Sequence, residues 1–150
     1  MTAEASVTHA QYLHQAQFAL FGCQMVEESL KSFLMYARDV NNISSTEYAA
    51  ISESDEDLDE MPLGPLIKLV KSTIPQSSLL VRLEQLRPER NHCAHRALSL
   101  CFISDVSDNV SLPDEYRRLC AIRELAWSCF EETKPLLAAA EKRRGVLQSQ

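Results

Sequence analysis

Glycine is scarce in this chain: Gly22, Gly64 and Gly145 are the only three in 150 residues. So few conformationally free positions weigh against a fold built on tight turns. Long apolar runs are missing too. None approaches the ~20 residues that a bilayer span requires. The first residues, Met1-Thr2-Ala3-Glu4-Ala5-Ser6, lack a basic stretch followed by an apolar core, so no secretory leader is expected. The five cysteines, Cys23, Cys93, Cys101, Cys120 and Cys129, form no C-x-x-C pair. Their odd number fits reduced, mostly buried thiols in a cytoplasmic protein rather than a disulfide framework. Positive charge is in deficit, with 15 Lys and Arg against 21 Asp and Glu. Phosphate neutralisation drives general nucleic-acid coating, so a net charge of −6 excludes that class of function. A small local basic site remains open.

What is present is helical pattern. The hydrophobic fraction of 45% suffices for one core, and 150 residues suit a single domain spanning 1–150. Apolar residues recur at spacings of three and four, which predicts an all-α antiparallel bundle of four to five helices. The first long helix is expected from about Thr8 to about Asp39, opened by a capping-box spacing of Thr8 and Gln11 and ended by Asn41-Asn42. Phe18 and Phe21 widen its apolar face, as central burial or a dimer seam would. Gly22, mid-helix, costs about 1 kcal/mol against alanine and marks close approach by another helix.

Ser44 to Ile51 has the spacing of a short helix. Residues 52–60, with six acids in nine positions, read as a solvated loop. A helix is expected from Pro65 to Pro75, and another from Gln76 to Leu86. Pro88 should then interrupt, setting off a segment from Glu89 to Leu98. Residues 100–103 are apolar and short, and 104–110 loop-like. Ser111 and Asp114 open a last helix, from about Pro113 towards Arg144, with a kink or break at Pro135.

The densest chemistry lies in Leu86-Arg87-Pro88-Glu89-Arg90-Asn91-His92-Cys93-Ala94-His95-Arg96. This stretch holds three of the ten arginines and two of the four histidines. His92, Cys93, His95 and Cys101 lack the paired spacing of a zinc site, so neither metal nor cofactor is expected. Cys93 and His92 are adjacent and point apart, which argues against a cysteine nucleophile. Cys93 should pack inward, and His92 should be exposed. Arg90 and His95 pair a permanently charged, forked phosphate binder with a group that moves protons near neutral pH. The spacing alone arises by chance in roughly a quarter of chains of this composition, so its context carries the signal.

Arg90-Asn91-His92-Cys93-Ala94-His95 resembles the R-x4-6-H signature of the HEPN domains, in which RNxxAH is a frequent form. Glu27-Glu28-Ser29-Leu30-Lys31 in the first helix, and the Leu63-Gly64-Pro65-Leu66-Ile67-Lys68 helix start, are similar to that family's layout. The resemblance implies a helical bundle that dimerises, with two motifs facing across a cleft, and a metal-independent endoribonuclease. His95 would then be general acid or base, Arg90 would hold the scissile phosphate, and Asn91 would orient it. Arg87 and Arg96 would extend the phosphate-binding surface. A toxin–antitoxin or defence setting is implied, with an antitoxin or nucleotidyltransferase as partner, RNA rather than DNA as substrate, and no membrane. Arg96-Ala97 stands where one toxin subgroup has a modified tyrosine, so that mode of control is not expected. The alternatives are a non-catalytic interaction or nucleotide-binding module and, more distantly, a small metal-binding protein. On a straight α-helix, positions i and i+5 lie about 140° apart. Arg90 and His95 therefore need either a second copy or a helix break near Pro88 to meet.

Overall fold

The computed structural model describes residues 7–44, 47–100 and 111–150. Helix α1 spans His9–Ser44, α2 Asp55–Glu60, α3 Leu63–Thr73, α4 Leu79–Asn91, a π-helical segment His92–Ala97, α5 Leu98–Leu100 and α6 Leu112–Gln148. The protein is an all-α bundle. Its α4, π segment and α5 follow without a gap and form one rod. Among the described residues no helix is long and apolar enough to cross a membrane.

The two long helices, α1 and α6, run in the same direction. Gln15 lies opposite Arg123, Gly22 opposite Ala126, Ser29 opposite Thr133 and Asp39 opposite Arg144. The α4–α5 rod returns antiparallel to both: Arg90 meets Glu27 and Ala97 meets Tyr12, while Arg82 meets Ser128 and Glu89 meets Arg118. Their shared core includes Cys23, Val26, Leu30, Phe33, Leu66, Leu83, Leu86, Leu119 and Ala126.

The caps expected at Thr8 and Ser111 form. Thr8 and Gln11 exchange reciprocal bonds of 2.9 and 3.2 Å, and Asp114 N donates to the Ser111 hydroxyl at 3.4 Å. Helix α1 runs past Asn41-Asn42, because Val40 is still buried and Asn41 is used elsewhere. The Asn41 amide clips the returning chain, donating to the Tyr48 and Ala49 carbonyls and accepting from Tyr48 N. No short helix occupies 47–51. The acidic stretch 52–60 is not a solvated loop throughout: 55–60 is helical. Ser54 and Asp57 close a capping box, and three acids sit in the first turn, where the helix dipole favours them. Leu58 and Ile51 are buried, and Arg38 and Lys31 bind the segment to α1.

Helix α3 starts at Leu63, two residues before Pro65, and α4 starts at Leu79. Neither internal proline breaks its helix. Pro88 and Pro135 both face solvent, where a missing N–H and a displaced carbonyl are hydrated. The irregularity predicted at Pro88 appears instead from His92 onward. The stretch 101–110, with Cys101, lies outside the described residues.

Gly22 is where α6 comes closest. A Cβ there would stand 3.2 Å from Ala126 Cβ, so the sequence expectation of close approach holds. Gly22→Val should therefore destabilise by about 2 kcal/mol through overpacking, seen as a lower urea midpoint with an unchanged m-value.

Candidate functional site

The motif rod is fixed from both sides. Glu89 accepts two bonds from Arg118 of α6, at 2.9 and 3.3 Å. Arg90 reaches the other way, and its Nε donates to Glu27 Oε1 of α1 at 2.7 Å. The Glu27 side chain is only 9% exposed and that of Arg90 24%, so this pair is largely desolvated. The carboxylate hydrogen bond raises the pKa of Arg90, holding it more firmly protonated than an ordinary arginine. Because Glu27 takes the Nε edge, the terminal amino groups of the fork stay available to a second anion.

Arg90, Asn91 and Arg87 line one cavity of about 250 Å³ with Pro62, Leu63, Gly64 and Pro65. The opposite wall is thus the N-terminal turn of α3. Its cap, Pro62, has no side-chain oxygen, so backbone N–H groups at this turn lack the usual side-chain cap. Gly64 faces the Arg87 side chain, and a Cβ there would stand 3.5 Å from it, an ordinary contact distance. Two guanidinium groups, an amide and a helix N-terminus converge here, a setting suited to a phosphate.

His92 corrects the sequence expectation of exposure. It is buried, and its Nε2 lies 2.8 Å from Glu115 Oε2 at the start of α6. Cys93 packs inward as expected, against Cys23 of α1. Their hydrogen bond pushes the Cys23 thiol up and pulls the Cys93 thiol down, and both side chains are fully buried, so neither sulfur is presented to a substrate.

His95 and Arg96 lie further along the π segment. Both are exposed, and neither lines the Arg90 cavity. The π geometry matters here. With i→i+5 rings and about 4.4 residues per turn, each residue advances about 80° instead of 100°. Across 90–95 this reduces the angular separation from about 140° to between roughly 50° and 90°. Ideal π geometry thus sets His95 nearer the Arg90 side of the rod than a straight α-helix would.

Sequence reasoning did not assign a role to Glu27, Glu89, Glu115 or Arg118. A signal existed for Glu27. It falls at i+4 from Cys23 and one position after Val26, on the stripe that continues to Leu30, so it is an acid on an apolar face. The α6 pairs involve long-range contacts with no local spacing rule.

Compared with family models, with curated proteins and with solved structures, the chain matches none.

Proposed function

We propose that this chain cleaves RNA without a metal, through the RNA 2′-hydroxyl. The observation that carries the reading is Arg90, whose Nε is anchored by buried Glu27 and whose side chain lines a cavity shared with Arg87, Asn91 and the α3 N-terminus. In this reaction the 2′-oxygen forms a bond to phosphorus as the bond to the 5′-oxygen breaks. One proton leaves the 2′-hydroxyl and one arrives at the departing 5′-oxygen. The products are a 2′,3′-cyclic phosphate and a free 5′-hydroxyl.

Arg90 holds the phosphate and stabilises the charge that develops on its equatorial oxygens. Asn91 orients a phosphate oxygen, and Arg87 and Arg96 bind neighbouring phosphates. His95 moves a proton as general acid or base. The π turn supports placing both groups on one protomer, so this reading does not depend on two motifs facing each other.

The second reading, a non-catalytic helical interaction module, draws on the exposed aromatic residues Phe18, Phe21 and Trp127. Single-stranded RNA incubated in EDTA separates the two. Wild type should cut it, and Arg90→Lys and His95→Ala should cut it at least about 100-fold more slowly. Equal background from all three proteins would remove the catalytic reading.

A further inference from the structure

Where the motif rod crosses α1, two thiols face each other. The crossing is antiparallel. Arg90 binds Glu27 on one side of it, and the Tyr12 hydroxyl donates to the Ala97 carbonyl on the other. Cys23 stands four residues before Glu27 and Cys93 three residues after Arg90, so the register itself brings the two sulfurs together. They share a hydrogen bond, both are free thiols, and both are fully buried in the common core. A buried cysteine is ordinary by itself. Two cysteines from different helices, in contact beside the Arg90–Glu27 pair, form a cluster with redox chemistry of its own.

The structure assigns Cys23 and Cys93 as an oxidation site: a hydroperoxide joins them in a disulfide that ties the motif rod to α1 and slows the chemistry at Arg90 and His95. The effect on cleavage rests on the ribonuclease reading; formation of the bond does not.

The two sulfurs have different parts. The hydrogen bond from Cys23 pulls the Cys93 thiol down, and Arg118 and Arg90 add to this against burial and Glu89. The same bond, with burial, pushes Cys23 up. Cys93 is therefore the attacking thiolate and Cys23 the resolving thiol. In the first step the Cys93 sulfur bonds to one peroxide oxygen as the O–O bond breaks. The other oxygen takes up the thiol's proton and leaves as water or an alcohol, and Cys93 becomes a sulfenic acid. In the second step the Cys23 sulfur attacks the Cys93 sulfur and the S–O bond breaks. The hydroxyl leaves as water with the Cys23 proton. Two thiols have then lost two electrons, and the hydroperoxide has gained them.

The oxidant enters by local opening. Cys93 lies in the π segment, and the element after it, α5, is only Leu98–Leu100. Strained turns next to a short helical end open more easily than the whole bundle unfolds. Hydrogen peroxide is little larger than water and needs only a small opening. Once formed, the bond draws the sulfurs from a hydrogen-bond contact to about 2.05 Å. Cys93 is three residues from Arg90 and two from His95, so pulling the rod onto α1 displaces both.

The test treats reduced protein with hydrogen peroxide and maps its digested peptides by mass spectrometry. A cross-linked peptide joining Cys23 to Cys93 within one chain is expected, and dithiothreitol should release it. RNA cleavage should fall about tenfold or more, because small displacements of reacting groups are costly, and should return with dithiothreitol. Two variants, checked for retained helix by circular dichroism, read the separate parts. Cys23→Ala should trap Cys93 as a sulfenic acid that dimedone labels. Cys93→Ala should lose that label and keep its cleavage rate in peroxide. Absence of the cross-linked peptide in wild type would overturn the inference. So would an unchanged cleavage rate in the cross-linked protein, or an equally steep loss in Cys93→Ala. Reduced protein that cuts no RNA would remove the ribonuclease reading instead, and the peptide map would decide the oxidation site by itself.

Discussion

Arg90→Ala should lower both stability and activity. The alanine variant leaves the Glu27 carboxylate in a site where its side chain is 9% exposed. Removing one partner of a buried pair costs about 3–5 kcal/mol. Arg90 keeps a quarter of its surface in water, so the expected loss is at the low end, about 3 kcal/mol, read as a lower urea midpoint. The double replacement Glu27→Leu with Arg90→Leu should recover much of that stability, because no unpaired charge remains. It should recover no RNA cleavage. Arg90→Lys divides the two roles. An ammonium still faces Glu27, so most stability should remain, but the planar fork is gone. Its cleavage rate should fall about 100-fold, in the range seen when one oxyanion-stabilising donor is lost. Equal loss of stability in the lysine and alanine variants would show that pair geometry, rather than charge, holds the rod.

The second large effect separates cleanly from folding. His95 is exposed and has no hydrogen bond among the described residues, so His95→Ala should leave the urea midpoint within about 0.5 kcal/mol of wild type. Its cleavage rate should fall by about 10²–10⁴, the usual contribution of a positioned acid or base. His92→Ala makes the reverse contrast. That ring is buried against Glu115, so the variant should be destabilised by about 1–3 kcal/mol through the carboxylate left unpaired. If His95→Ala cleaves like wild type while His92→Ala does not, the catalytic histidine has been misassigned within the motif.

These two histidines show what the sequence could and could not specify. The all-α class, the caps at Thr8 and Ser111 and the close approach at Gly22 all follow from local rules, and local rules were sufficient for them. Spacing also singled out the motif, and the structure brings Arg87, Arg90 and Asn91 to one cavity. It could not say which histidine is buried. That depends on where the α6 N-terminus places Glu115, 23 residues downstream of His92. It likewise could not foresee the π turns. A proline removes one N–H, but whether the helix breaks there or rewinds further on is decided by packing around the rod. Here Glu89, Arg90, His92 and Cys93 are each held by α1 or α6, so the chain stays helical and the mismatch is taken up over His92–Ala97. The acidic stretch misled for a related reason. Its composition is that of a solvated loop, but Leu58 and Ile51 are enough to dock it.

The central claim is that Arg90 and His95 serve a reaction in which RNA supplies its own nucleophile. The most direct measurement is the chemistry of the cut ends, read by mass spectrometry after digestion in EDTA. Fragments ending in 2′,3′-cyclic phosphate, with 5′-hydroxyl partners, are the predicted products, and a single 2′-deoxy substitution at the cleaved position should spare that bond. Fragments carrying 3′-hydroxyl and 5′-phosphate ends, or cleavage indifferent to the 2′-deoxy substitution, would contradict it.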